Sequence, residues 1–247
     1  MASAIEDYAL IGNLRTAALV GRDGSVDWLC FPRFDDPACF SRLLGTAEQG
    51  RWLLAPAGPV RSVERRYRGD SLILETDFVT ATGAVRVTDF MPMWGERTDV
   101  IRIVEGLRGS VAMRFELALR FGYGDVIPWV RRVDEALMAT AGPYSAEVRS
   151  PVETRGEGFM TVADFVVKRG ERLPSGMEIA ALAQSDHLLG EGLDRLRLRL
   201  GGLDPAVLDQ GACEIRVERL AMGGVPPQLL AGSLVTHGAR RAPRPSA

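Results

Sequence analysis

The first 174 residues predict a mainly β protein, an antiparallel β-sandwich, followed by an irregular, partly helical or disordered segment over residues 175–247. Three observations carry this. Short apolar runs recur between clusters of Gly, Pro, Asp and Asn, as in proteins made of many short strands. Several runs alternate apolar and polar with period two, so one face of each strand is buried and the other wet. The 4 Trp, 4 Tyr and 9 Phe all precede Pro174, so the last third lacks the bulky rings that usually fill a core.

In chain order, Thr16–Val20 and Val26–Phe31 flank Gly21-Arg22-Asp23-Gly24-Ser25 and predict a hairpin with Asp-Gly in its turn. Ala38–Leu44 reads as a short helix, with Asp35, Asp36 and Pro37 suiting its start. Ser71–Val79, Ala84–Phe90, Asp99–Leu107, Val111–Phe121, Glu135–Ala141 and Gly158–Val167 predict further strands. In the fourth of these, Met113, Phe115, Leu117, Leu119 and Phe121 alternate with mostly polar partners. Beyond Pro174 the runs Leu193–Leu200 and Glu214–Leu220 look most ordered, and the Arg- and Pro-rich tail is expected to be disordered.

Composition excludes several function classes. Net charge is −2, which gives no pull toward nucleic acid or an anionic membrane. No run approaches the roughly 18 consecutive apolar residues of a membrane span, and the acidic start is unlike a signal peptide, so a soluble cytoplasmic protein is expected. With only His187 and His237, a multi-histidine metal site is ruled out, and Cys30, Cys39 and Cys213 lack metal spacing. Gly106-Leu107-Arg108-Gly109 lies between strands, not before a long helix, and so fails as a phosphate loop. No metal and no cofactor is expected.

The run Ile5-Glu6-Asp7-Tyr8-Ala9-Leu10-Ile11-Gly12-Asn13-Leu14-Arg15-Thr16 continues through Gly24-Ser25-Val26-Asp27-Trp28-Leu29-Cys30 to Pro32-Arg33-Phe34-Asp35 and Pro37-Ala38-Cys39-Phe40. Together with Tyr67, Leu74-Glu75-Thr76, Val87-Thr88-Asp89-Phe90-Met91-Pro92 and Arg120-Phe121-x-Tyr123-Gly124, it resembles the opening of bacterial trehalases and glucoamylase-like proteins of glycoside hydrolase family 15. The resemblance covers residues 5 to about 173. It implies a supersandwich-like N-terminal domain that packs against an (α/α)₆ barrel, the barrel carrying the catalytic glutamates for inverting hydrolysis of α-glucosides such as trehalose. No residue here matches those barrel segments, so no catalytic residue is assigned. After Pro174 the family's aromatic strand and linker give way to Arg-, Gly-, Ala- and Leu-rich sequence, and the segment is expected to be a frameshifted or truncated remnant.

Arg15, Trp28, Arg33, Phe34 and Asp35, on or after the first hairpin, are candidates to face the barrel or its sugar; the alternative is core packing for Trp28 and a loop-fixing pair for Arg33 and Asp35. Trp129 is a candidate for the same roles. Asp89 beside Phe90 and Trp94 could mark a ligand site, or a strand end turning at Pro92 over a satellite cluster. Two further functions stay open. A free-standing carbohydrate-binding or interaction module would need a row of exposed aromatics such as Trp94 and Trp129. An active truncated glycosidase would need two carboxylates roughly 6.5–9.5 Å apart in one cleft.

Overall fold

The computed structural model describes residues 3–93, 98–134 and 136–181. Trp94, Cys213, both histidines, the runs Leu193–Leu200 and Glu214–Leu220 and the tail lie outside the described residues. So does the expected character of the last third beyond residue 181.

Among the described residues fifteen strands form the fold: β1 Tyr8–Gly12, β2 Ala17–Gly21, β3 Ser25–Cys30, β4 Ala38–Phe40, β5 Arg51–Pro56, β6 Val60–Tyr67, β7 Leu74–Thr80, β8 Gly83–Phe90, β9 Asp99–Ala118, β10 Trp129–Val133, β11 Ala136–Ala141, β12 Tyr144–Arg149, β13 Arg155–Glu157, β14 Met160–Lys168 and β15 Arg172–Ala181. Every ladder among them is antiparallel. The mainly β, antiparallel reading therefore holds.

Strand β9 organises both layers. Its first half pairs with β8 and β15, and its second half with β5 and β14. Sequence reading split this stretch into two strands, Asp99–Leu107 and Val111–Phe121; the structure corrects that to one 20-residue strand. Gly106 and Gly109 do not make a turn here. They let two neighbouring hairpin turns press against the strand where it leaves one sheet for the other: a Cβ on Gly106 would lie 2.0 Å from the Lys168 carbonyl oxygen, and one on Gly109 2.2 Å from that of Thr82.

One layer reads β1-β2-β3-β5-β9-β14-β13, and the other β6-β7-β8-β9-β15-β12-β11-β10. Their inner faces share a core in which Trp52 and Phe115 of the first meet Phe78, Val85, Val87 and Val104 of the second. A buried cation ties the layers together. Arg102, on β9, is fully buried; its Nε and Nη2 donate to the Asp89 carboxylate at 2.8 and 3.3 Å, while Nη1 and Nη2 donate across the core to the Trp52 and Gly24 carbonyls at 2.6 and 2.8 Å. Asp89 is thus a structural anchor and not a ligand carboxylate. Phe90, beside it, joins Ile101 and Ile103 in a satellite cluster, as the strand-end reading expected.

The first hairpin forms as predicted. Its three-residue turn closes with Gly24 at φ 82°, and the register shifts by a bulge between Leu19 and Val20. The helix predicted over Ala38–Leu44 does not form. Ala38–Phe40 is fully buried and pairs with β3, and the rest of the predicted stretch makes one 3₁₀ turn, Arg42–Leu44. Burial of Cys39 and Phe40 in the core outweighs the local start signal, which depended on sequence alone. At the other end, β15 runs through the composition change at Pro174, pairing with β9 as far as Glu178 and with β12 as far as Ala181.

The outer face of β6, β7 and β8 carries a cross-strand charge lattice. Arg66 bonds Glu75 and Asp77 at 2.6 and 3.1 Å, Arg68 bonds Glu75 at 2.6 Å, and Arg86 bonds Asp77 at 2.7 Å. Burial disfavours the Glu75 and Asp77 carboxylates, but these arginines outweigh it and hold both below the usual carboxylate range. Carboxyls depressed in the folded state stabilise it above their unfolded pKa of about 4, and that contribution is lost as pH falls through the folded values. Urea midpoints measured from pH 7 to pH 3 should fall steeply for the parent. For Glu75→Gln with Asp77→Asn they should start lower and fall less; parallel profiles would contradict the lattice's role.

Candidate functional site

Three loops meet at one edge of the fold. In the β1–β2 turn, Asn13 Oδ1 accepts the backbone N–H groups of Arg15 and Thr16, each at 3.1 Å, which fixes the turn and turns Leu14 outward at φ 70°. The loop after β3 is joined to it: Phe34 N donates to the Arg15 carbonyl at 3.0 Å. The third loop, after β9, docks through Tyr123 N to the Ala38 carbonyl at 3.1 Å, and the Tyr123 ring lies 6.1 Å from the Trp28 ring.

Four of the sequence candidates, Arg15, Arg33, Phe34 and Asp35, are therefore exposed together on this edge, with Trp28 half-buried at its base. Arg33 and Asp35 form a two-point ion pair at 2.9 and 3.2 Å, and the guanidinium holds the Asp35 carboxyl below its usual range. Sequence reading gave no role to Leu14 and Tyr123. Both are exposed apolar residues in the left-handed region, Tyr123 at φ 63°, and with Phe34 they make the edge apolar. Left-handed backbone at a bulky residue costs about 1 kcal/mol or more and persists where the surroundings enforce it. Only the glycines bracketing Tyr123 hinted at this.

Trp129 lies elsewhere. It stands on edge strand β10, 79% exposed, at a cleft of about 830 Å³ between β10–β11 and β13–β14. Phe159, in the β13–β14 turn and 73% exposed, lines the same cleft; Leu119 and Leu137 lie beneath. Among the described residues no group of three or more His, Cys, Asp and Glu side chains is placed to hold a metal. Three buried carboxylates, Asp27, Glu75 and Asp89, are committed to arginines: Asp27 to Arg42 at 2.8 Å, Glu75 to Arg68, Asp89 to Arg102.

A family model described as "Trehalase-like, N-terminal" matches residues 1–180. The chain belongs to this trehalase-like N-terminal family. As a trehalase-like N-terminal domain, it is 34% identical over 146 residues to "Trehalase 1" of Sulfolobus acidocaldarius, covering 59% of this chain and 25% of that one. It is 29% identical over 157 residues to "Trehalase" of Thermoplasma volcanium, covering 61% and 25%. With "Trehalase" of Mycobacterium tuberculosis it shares 40% identity over 98 residues, covering 40% and 14%. The trehalase-like match thus spans a quarter or less of each of these curated relatives, which continue well beyond it.

Proposed function

We propose that this chain is the non-catalytic N-terminal domain of a cytoplasmic α-glycoside hydrolase acting on α-glucosides such as trehalose, and that its loop edge packs against an (α/α)₆ catalytic barrel. The observation that carries the reading is the edge itself: Leu14, Phe34 and Tyr123 present apolar side chains to solvent from three hydrogen-bonded loops. An apolar surface held in place at the expense of backbone strain suits a packing partner. Arg33 and Asp35, paired beside it, would supply a polar rim. The paired carboxylates support a non-catalytic role. A general acid needs a raised pKa, whereas Asp35, Glu75, Asp77 and Asp164 are all displaced downward. The buried, unbridged thiols of Cys30 and Cys39 suit a reducing compartment.

The test is to replace the N-terminal quarter of the Sulfolobus acidocaldarius relative with residues 1–180 and assay glucose release from trehalose. The chain alone should release none and the fusion should be active. Leu14→Asp with Phe34→Asp should cut fusion activity at least tenfold yet leave the Tm of the isolated chain unchanged, since both side chains are exposed and Asp tolerates the left-handed region. Hydrolysis by the chain alone, or a fusion indifferent to the pair, refutes the proposal.

A further inference from the structure

We propose that the cleft between β10–β11 and β13–β14 binds short α-linked glucan chains, with Trp129 and Phe159 as stacking platforms. The choice of sugar class rests on the function proposed above; the choice of place does not. A pyranose ring offers an apolar C–H face and a rim of hydroxyls. It therefore needs a flat exposed ring with hydrogen-bonding groups around it, inside a concavity. Trp129 and Phe159 are the two most exposed aromatic side chains among the described residues, and both line this one cleft. Single exposed apolar residues need no explanation, but two aromatic rings converging on a cleft do. Thr140, Thr154, Arg131 and Arg155 share its walls and supply hydroxyl and guanidinium groups for sugar hydroxyls.

Both platforms stand on fixed backbone. Trp129 is paired with Thr140 in the β10–β11 ladder. The Phe159 turn is held from below by Arg120, a buried arginine whose Nη1 donates to the Phe159 carbonyl at 3.1 Å and to that of Leu119 at 2.7 Å. Across the cleft, Arg132 Nη2 donates to Thr154 Oγ1 at 2.7 Å and ties the two walls. A site so held loses little freedom on binding, and that favours affinity. The volume, about 830 Å³, falls within the roughly 300–1,000 Å³ of small-molecule sites.

Isothermal titration of the full chain with maltotriose should give saturable heat, accompanied by a change in tryptophan fluorescence. Trp129→Ala and Phe159→Ala should each weaken binding at least tenfold with Tm unchanged, because both side chains are surface-exposed. Cellotriose, the β-linked counterpart, should give no heat. Absence of maltotriose binding, binding unaffected by either substitution, or equal binding of cellotriose would each overturn the proposal. Its failure is distinguishable from that of the barrel-packing reading: a fusion that hydrolyses trehalose while the chain binds no maltotriose removes the cleft proposal alone.

Discussion

Arg102→Ala should be the most damaging single substitution in the sandwich, lowering stability by about 4 kcal/mol or more. Removing the guanidinium leaves Asp89 as an uncompensated charge in the core, where its side chain is 1% exposed. It also removes the donor that Arg102 extends from the opposite layer to the Trp52 and Gly24 carbonyls, the latter keeping only its bond from Leu54 N at 3.1 Å. The ring of Trp52, 5.3 Å from the guanidinium carbon, loses a cation over its face as well. For a chain of this size the expected fall in Tm is on the order of 10 °C or more. Arg102→Met with Asp89→Leu removes the charges together and should recover much of the loss, because a buried ion pair replaced by apolar groups is often nearly neutral. Arg33→Ala, which breaks the exposed pair with Asp35, should change stability by no more than about 1 kcal/mol. An Arg102→Ala protein within 2 °C of the parent by differential scanning calorimetry would show that the layers do not depend on this tie.

What the sequence disclosed follows the geometry of burial. Strands with one face in the core announce themselves by alternation; the second half of β9 was readable for that reason, its Val111, Met113, Phe115 and Leu117 buried between more exposed neighbours. Strand β6 was not. It lies at a sheet edge with mostly exposed side chains, and its Val60–Tyr67 sequence is written by the charge lattice and by the need to discourage edge pairing. Its Tyr67 hydroxyl instead caps the free edge of β1, accepting from Leu10 N at 3.0 Å and donating to Leu10 O at 2.9 Å, a long-range bond that no local pattern encodes. The short helix failed for the converse reason: Asp35, Asp36 and Pro37 are a sound local start, but Ala38–Phe40 had a sheet to join.

The candidate site was legible in part. The family-like run from Ile5 to Phe40 named residues that the fold gathers on one edge, because Arg15, Arg33, Phe34 and Asp35 sit close in sequence to the hairpin that positions them. Their apolar neighbours Leu14 and Tyr123 were invisible as such, since left-handed backbone at a bulky residue is a property of the enclosing contacts. Phe159 was missed too. It lies 30 positions from Trp129 in the chain, and only the path of β13 and β14 brings it to the same cleft.

Gly106→Ala should be the second most damaging change, and it tests how β9 serves two sheets. The added methyl would stand 2.0 Å from the Lys168 carbonyl oxygen and 3.1 Å from Arg169 N, so backbone, and not a movable side-chain end, has to yield. Those atoms belong to the β14–β15 turn, itself pinned to β9 by Gly170 N to the Gly106 carbonyl at 2.8 Å and Gly106 N to the Glu171 carbonyl at 2.9 Å. Relieving the clash separates the turn from the strand and breaks both bonds. Overpacking in a core usually costs about 1–3 kcal/mol, and two lost backbone bonds place this case at or beyond the upper end. Gly58→Ala, whose methyl would meet nothing within 4 Å, is the matched control and should be neutral. Urea denaturation reads the cost, and amide hydrogen exchange reads its place. Gly106 and Gly170 should lose protection before the β2–β3 hairpin does. If Gly106→Ala matches the control, the strand can change sheets without close approach of the β14–β15 turn. The turn would then be only a passenger on β9. If it does not, the strand changes sheets only with the β14–β15 turn seated against this glycine.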